Sequence, residues 1–302
     1  MRVFVTGATG LIGRALCRAL VEQGHSVSAL SRTDAPAGLP AGIRAVRGDP
    51  AAPGSWQEEL ARCDACVNLA GEPLSSGRWT AERKRAIRES RILATRNVAA
   101  AVAAGGPRVL VSGSAVGWYG SRGDDLLDES APSASDFLGS LSRDWEAAAA
   151  PAAKRARVVL LRTGIALSAQ GGALPRLAAP FRLFAGGPIG DGGFWQPWIH
   201  LDDEVRLVLL ALGNEGASGP LNAVAPEPVR NRDFARALGR VLGRPSALRT
   251  PALAIRLAVG EMAEVVVASQ RVVPRKALDL GYRFRFERLE PALQDLLGKA
   301  RA

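Results

Sequence analysis

Residues 3 to 13 read V-F-V-T-G-A-T-G-L-I-G, an apolar run that meets glycines at positions 7, 10 and 13 and passes directly into Arg14-Ala15-Leu16. Glycines at this spacing let a chain turn tightly after a strand. They also bring backbone N–H groups close to an anion and let the following helix pack against the strand. That helix has Leu11, Ala15, Leu16, Ala19 and Leu20 on one face and Gly24 as its stop. Its N-terminus presents unpaired donors and a partial positive charge. The pattern predicts a phosphate cradle made by Gly7, Gly10 and Gly13 with the backbone of Thr9, Leu11 and Ile12.

Downstream, short apolar runs alternate with longer amphipathic ones: SVSALS, IRAVRGD, DACVNLA, a helix from about Trp79 to Ala104, RVLVSGS, a helix from about Asp136 to Ala150, RVVLLRTGIAL and PWIHLDDEVRLVLLAL. This order predicts an α/β fold, a Rossmann-type doubly wound parallel sheet with helices on both faces. Beyond about Leu221, Pro226, Pro228, Pro245, Pro251, Pro274 and Pro291 punctuate short helical patterns. The expected organisation is a Rossmann domain over 1–220, with a segment near 165–198 reaching a smaller mixed C-terminal lobe over 221–302.

The strand SVSALSR is expected to end over an adenosine ribose. An acidic residue there would select NAD, whereas this chain offers Ser31 and Arg32, a hydroxyl and a guanidinium suited to a 2'-phosphate. NADP is therefore the expected cofactor. The net charge of +10 does not by itself point to nucleic acid: 39 basic residues less four lysines leaves 35 arginines spread along the chain, and no recognised binding module accompanies them. The densest basic segment, Arg78 to Arg96, reads as a solvated helix face. Cys63 and Cys66 spell C-x-x-C, but no second pair exists and Cys66 opens a buried strand pattern, so neither a metal site nor a redox pair is expected. Met1 to Val5 leads straight into the glycine motif without a signal-peptide pattern, and no apolar stretch is long enough for a membrane span; the expected address is the cytoplasm.

The strings TGATGLIG, NLAGEPL, SGSAVGWYG, LRTGIAL and PWIHLDD occur in the order and spacing of the extended short-chain dehydrogenase/reductases, the sugar-nucleotide epimerases and dehydratases. With ESRILATRNV, GGPIGDGGFWQPWIH and SQRVVPRKALDLGYRF, nearly the whole chain resembles an atypical branch, the epimerase family proteins with a C-terminal domain of unknown function. The resemblance implies that Ala70 and Gly71 pass close to the cofactor. It also implies that Glu72 reaches its ribose or the active-site mouth, unless it is a simple loop carboxylate. Arg162 and Thr163 would end a strand on the nicotinamide side, as ligands or as structural residues. Ser114 matches the serine that orients the substrate oxygen.

Active members of that superfamily also place a tyrosine and a lysine four residues apart on one helix face, so that a phenol of lowered pKa exchanges a proton. The corresponding helix here reads D-F-L-G-S-L-S-R-D-W-E, and neither Tyr119 nor Tyr282 is followed by a lysine at that spacing. Tyr119 is the leading substitute as a catalytic residue beside Ser114, with Asp124, Asp125, Glu146 and His200 as further candidates. The loop GGPIGDGGFWQPW is either an anion nest with Phe194, Trp195 and Trp198 stacking on a flat substrate, or a joint with those aromatics buried. Two functions follow as expectations: an NADP-dependent oxidoreductase or epimerase acting on a small substrate, or an NADP-binding regulatory protein with little or no turnover. A third class, an acidic-surface or nucleic-acid binder, would rest on charge alone.

Overall fold

The computed structural model describes residues 1–34 and 36–298; the last four residues of the expected C-terminal lobe lie outside the described residues. Seven strands form one parallel sheet: β1 (Arg2–Thr6), β2 (Ser26–Ser31), β3 (Arg44–Arg47), β4 (Ala65–Asn68), β5 (Val109–Ala115), β6 (Arg157–Thr163) and β7 (Gly219–Ala223), in the order β7-β6-β5-β4-β1-β2-β3. The winding direction reverses between β1 and β4. In open parallel sheets a crevice forms outside the strand ends at such a reversal.

The apolar runs read as strands because both faces are covered. Val3, Val5, Ala65 and Val67 pack with Leu16 and Leu20 of α1 (Leu11–Glu22) and with Val205 and Val208 of α6 (Leu201–Gly213). Phe4, Cys66 and Leu110 point the other way, against Trp56 and Leu60 of α2 (Trp56–Ala61) and Val98 and Val102 of α3 (Ala81–Gly105). Cys63 and Cys66 are buried on that side and Cys17 on the other, and burial pushes all three thiols upward, away from the reactive thiolate. α4 (Phe137–Ala149) lies beside α3 and starts at Asp136, whose carboxylate accepts from Gly139 N at 2.7 Å.

One expected strand divides. At Gly164 the chain leaves the main sheet and passes so near Pro197 that a Cβ there would stand 2.8 Å from its carbonyl oxygen. Ile165–Ser168 then pairs with Trp198–His200 and with Gly171–Gly172, forming the floor on which α5 (Leu174–Arg182) and α7 (Asn231–Leu242) pack. α8 (Ala252–Val259), α9 (Ala263–Val267), α10 (Arg275–Asp279) and α11 (Leu289–Leu297) complete the described chain. Residues from 271 onward divide between the two regions. Ala277, Tyr282 and Phe284 join the core under α6, whereas Phe286, Leu289 and Leu293 join α7. No helix among the described residues is long and apolar enough to cross a membrane.

Asp203 fastens the C-terminal segment. It is fully buried in the first turn of α6; its Oδ1 accepts from Tyr282 Oη at 2.7 Å and Arg285 N at 2.8 Å, and its Oδ2 from Phe286 N at 2.9 Å. Removing the carboxylate strands three donors, and each unsatisfied buried group costs about 1–3 kcal/mol. Asp203→Ala is therefore expected to lose about 3 kcal/mol or more in urea unfolding, with Asp203→Asn in between. A loss below about 1 kcal/mol for both would mean that the segment is anchored elsewhere.

Candidate functional site

A cleft of about 540 Å³ opens over the ends of β1, β4, β5 and β6, lined by Gly7, Gly10, Leu11, Ile12 and Gly13 at one end and by Ser114, Thr163, Trp195 and Gln196 at the other. Gly7 has φ +68°, and a Cβ on it would lie 2.6 Å from the Leu69 carbonyl; one on Gly13 would lie 2.2 Å from Gly7 O. These two glycines permit the close approach of turn, strand and helix. Gly10 is exposed on the cleft wall, and a Cβ there would meet the Gly7 carbonyl oxygen at 3.2 Å, tight but short of the outright clashes at Gly7 and Gly13. No side chain caps α1 and no acid stands in its first turn. Its first bond is Arg14 N to Gly10 O, so the N–H groups of Leu11, Ile12 and Gly13 have no helical partner. Thr9 is exposed and forms no part of the cleft wall.

The loop after β4 is held from beneath. Thr6 Oγ1 donates to Asn68 Oδ1 at 2.6 Å and accepts from Ala70 N at 3.2 Å; Asn68 Nδ2 and Trp145 Nε1 both donate to Thr95 Oγ1, each at 2.8 Å. Gly71 passes Arg91 so closely that a Cβ would lie 3.2 Å from its side chain. Glu72, expected at the ribose or the mouth, instead pairs with Arg83 at 3.2 Å and is not on the cleft wall. Ser31 ends β2 and Arg32 follows it, neither of them on the cleft wall. Ser31 Oγ accepts from Thr33 N at 3.1 Å, while Arg32 is exposed and makes no ion pair among the described residues. Arg47, in register with Ser31 across the sheet edge, pairs with Asp34 at 2.7 Å.

Strand register decides the fate of two further expectations. Ser114, Arg162 and Asn222 are aligned across β5, β6 and β7, so their side chains share one sheet face, under α4. Arg162 is 2% exposed; its guanidinium donates to Glu146 Oε1 at 2.8 Å and Oε2 at 3.0 Å, and to Tyr119 Oη at 3.0 Å. Ser114 Oγ donates to Glu146 Oε1 at 2.6 Å, and Tyr119 Oη to Asn222 Oδ1 at 2.7 Å. Arg162 therefore cannot reach a cofactor: Glu146, Tyr119 and the Glu129 carbonyl occupy its donors, and Trp118 covers it at 3.9 Å. Tyr119 is likewise no proton donor to the cleft. It is fully buried and off the cleft wall, and burial, outweighing the opposing Arg162, pushes its phenol up to about 12. Of this network only Ser114 reaches the cleft.

The other candidates are also committed. His200 caps α6, accepting from Asp202 N at 3.0 Å while its ring stacks on Phe286. Asp124 is exposed and holds Arg230 and the Trp195 indole; Asp125 is exposed too. In the glycine-rich loop, Cβ atoms on Gly186 and Gly187 would fall 2.2 Å from Phe181 and 2.0 Å from Leu248 O, and Ile189 bridges to Thr250. These glycines serve close packing at a joint. Trp195 faces the cleft, whereas Trp198 is buried in the core under α7.

The cleft face of α4 carries Leu138, Leu141, Ser142 and Trp145. Its two pairs four residues apart, Leu138 with Ser142 and Leu141 with Trp145, contain neither a phenol nor an amine. Two cleft features escaped the sequence reading. Arg91 lines the wall over Trp145, and burial lowers its guanidinium to about 10. The signal was its place on the stripe Ile87, Ala94, Thr95, Val98, which is the buried face of a helix otherwise rich in solvated arginines.

The second is Glu204, in the first turn of α6. Thr163 lies on the opposite sheet face from Arg162, lines the cleft, and donates to Glu204 Oε1 at 2.7 Å. Glu204 is fully buried, and its Oε2 has no partner among the described residues. Burial, against the smaller effect of the Thr163 hydroxyl, pushes it up to about 8. Between its ordinary value near 4.5 and about 8, the folded chain holds a proton that the unfolded chain releases. Its stabilising contribution is therefore complete below the lower value and lost as pH rises through the upper one. The unfolding free energy is expected to fall over this window by a few kcal/mol more in the parent than in Glu204→Gln. Equal pH slopes in the two proteins would mean that Glu204 is ionised throughout.

Residues 3–223 match the model of the NAD dependent epimerase/dehydratase family, and residues 250–296 match a domain of unknown function, DUF1731. The Arabidopsis thaliana protein named epimerase family protein SDR39U1 homolog, chloroplastic, is 40% identical over 98% of this chain and 87% of its own length. The Bacillus subtilis epimerase family protein YfhF is 38% identical over 98% of each. The crystal structure of human epimerase family protein SDR39U1 with NADPH is similar at TM-score 0.88 and 34% identity, covering 98% of this chain and 99% of the human one. By its glycine-bearing first turn, its seven-stranded sheet and these full-length likenesses, the chain belongs to the NAD dependent epimerase/dehydratase family, among the epimerase family proteins with the added C-terminal domain.

Proposed function

We propose that this chain is an NADP(H)-dependent oxidoreductase or epimerase acting on a small molecule. The observation that carries the reading is the single cleft that joins the uncapped N-terminus of α1 to Ser114 and Thr163. The N–H groups of Leu11, Ile12 and Gly13, with the bare backbone of Gly10 on the cleft wall, suit a pyrophosphate. Ser31 and Arg32 suit a 2'-phosphate, and the backbone from Leu69, which lines the cleft, through Ala70 and Gly71 would pass between. The human relative's structure with NADPH supports the same choice. On this reading residues 1–220 hold the cofactor, while 165–198 and 221–302 shape the substrate side.

Bound NADP supplies hydride exchange at its nicotinamide. Ser114, whose hydrogen is committed to Glu146, keeps oxygen lone pairs to accept from a substrate hydroxyl. Burial keeps Glu204 protonated up to about pH 8, so the carboxyl hydrogen can take over the Thr163–Glu204 bond; with that bond reversed, Thr163 Oγ1 passes its own hydrogen to a substrate oxygen and receives the one from Glu204, which suits carbonyl reduction near neutrality. The absence of a phenol–amine pair on the cleft face of α4 favours a second reading, an NADP-binding regulatory protein without turnover. NADPH consumption with any carbonyl compound, abolished by Thr163→Val, would exclude it.

Arg32→Ala is expected to weaken NADP(H) about tenfold or more and to leave NAD(H) nearly unchanged, as measured by titration. Equal losses for both would show that Arg32 does not read the phosphate. Gly10→Val is expected to abolish NADPH binding with a smaller change in melting temperature than a side chain at Gly7 or Gly13 would cause, because Gly10 is exposed on the cleft wall and its Cβ crowds one backbone oxygen, at 3.2 Å, instead of clashing outright. Unchanged affinity would sink the phosphate-cradle assignment.

A further inference from the structure

Beyond the cleft lies a second chamber of about 570 Å³, continuous with it through the shared residues Leu74, Ile165, Ala173, Gln196 and Val266. Its walls come from α5, α7, α8 and the Met262–Val266 stretch, and Leu177, Phe181, Phe234, Leu238, Ile255 and Met262 dominate them. The only charged side chain described on this wall is Arg176, which is exposed. Such a volume is typical of a small-molecule pocket. A sugar diphosphate would carry two negative charges into walls offering one exposed cation, and burying charge without partners is costly.

One polar group at the junction is free to select. Asn231 Oδ1 accepts from Ile189 N at 2.8 Å, a backbone donor that fixes the orientation of the amide. Asn231 Nδ2 must then be the donor to Gln196, and it reaches Gln196 Oε1 at 3.1 Å. Gln196 is 4% exposed and lines both chambers; its Oε1 is occupied, and its Nε2 has no partner among the described residues. Asn231 has its oxygen and one amide hydrogen engaged. The chamber therefore offers apolar surface for the body of a ligand and amide N–H donors for one oxygen at the neck.

We infer that the second chamber binds an uncharged, largely apolar carbonyl compound or alcohol, with its oxygen toward Gln196 and the cleft, rather than a sugar nucleotide. As the substrate class of the site, this rests on the oxidoreductase reading above; as a statement about the chamber's ligand, it does not. Such a ligand places its oxygen at the opening that leads to Ser114 and Thr163, where the cleft's hydroxyls stand.

The test uses the full chain with saturating NADP+ and a neutral solvatochromic ketone, 6-propionyl-2-(dimethylamino)naphthalene, followed by its own fluorescence. Binding with a blue-shifted emission, unaffected by excess UDP-glucose, is expected. Leu177→Glu should weaken it about tenfold or more by placing a carboxylate in the apolar wall, while NADP+ affinity stays within about twofold. Ile255→Glu repeats the test from the opposite wall, should the first variant melt early. Displacement of the ketone by UDP-glucose, absence of binding, or unchanged affinity in folded glutamate variants would each overturn the inference. Ketone binding with this selectivity but without any NADP+ binding would support the apolar ligand and remove the oxidoreductase reading instead.

Discussion

A guanidinium stripped of its water must find partners for its donors or leave the interior, and Arg162 has found them in four directions. Glu146 takes two of its nitrogens, Tyr119 and the Glu129 carbonyl the third, and Trp118 stacks over the carbon. Burial works against the charge, but the hydrogen bonds and attraction of Glu146 and Tyr119 outweigh it and raise the guanidinium. Removing one partner from such a group typically costs about 3–5 kcal/mol, because the remaining charge is left uncompensated. The network spans β5, β6, β7 and α4, so the relative positions of the strand ends under the cleft are tied to one charge. Glu129 extends it: its carboxylate accepts from Asn222 N and Lys276 N, bringing α10 into the same assembly.

This constraint splits β6 into two roles at adjacent residues. Arg162 faces α4 and is consumed by structure. Thr163, one residue on and therefore on the other face, meets α6 and a carboxyl with nothing else to bind. The Ser114 hydroxyl is anchored through Glu146 to the charged network, which fixes its oxygen. The Thr163 hydroxyl is anchored to a carboxyl that titrates near neutrality. Of the hydroxyls on the cleft wall, those of Ser114, Ser142 and Thr163, it is Thr163 that bonds a carboxyl pushed up to about 8 by burial.

The glycine turn and the alternation of strands and helices were legible because each is local: Gly7 answers to its left-handed φ and Gly13 to a backbone clash within one turn, although the crowding of Gly7 by Leu69 comes from the neighbouring strand. What depended on register was not. Nothing in L-R-T says that Arg162 aligns with Ser114 and Asn222, and a fully buried arginine is rare enough to be read as a ligand instead. Tyr119 was misread for the same reason, since its burial is set by Asn222, 103 residues away. Arg91 was concealed by composition, one arginine among many on a long helix, although its heptad neighbours carry the buried stripe. Glu204 was passed over within PWIHLDDEV, where Asp203 and His200 are structural and the next residue, on its own helix face, meets a strand end.

The missing phenol–amine pair and the apolar second chamber have a common physical consequence. A lysine beside the cofactor would place a fixed positive charge in the cleft, useful for holding an anionic substrate and for lowering a phenol's pKa. With Leu138, Leu141, Ser142 and Trp145 on that wall, the α4 side is uncharged, and Arg91 on α3 is the cation that remains, packed against Trp145. Such a wall gives an ionic substrate little compensation for lost hydration but costs a neutral one nothing. A buried carboxyl that stays protonated to about pH 8 fits the same environment, because neutral Glu204 adds no charge to a low-dielectric pocket and still carries a proton to give. On the oxidoreductase reading proposed above, exchanging a charged acid–base pair for a neutral one couples the proton chemistry to the polarity of the substrate, so that a change in either would require a change in the other.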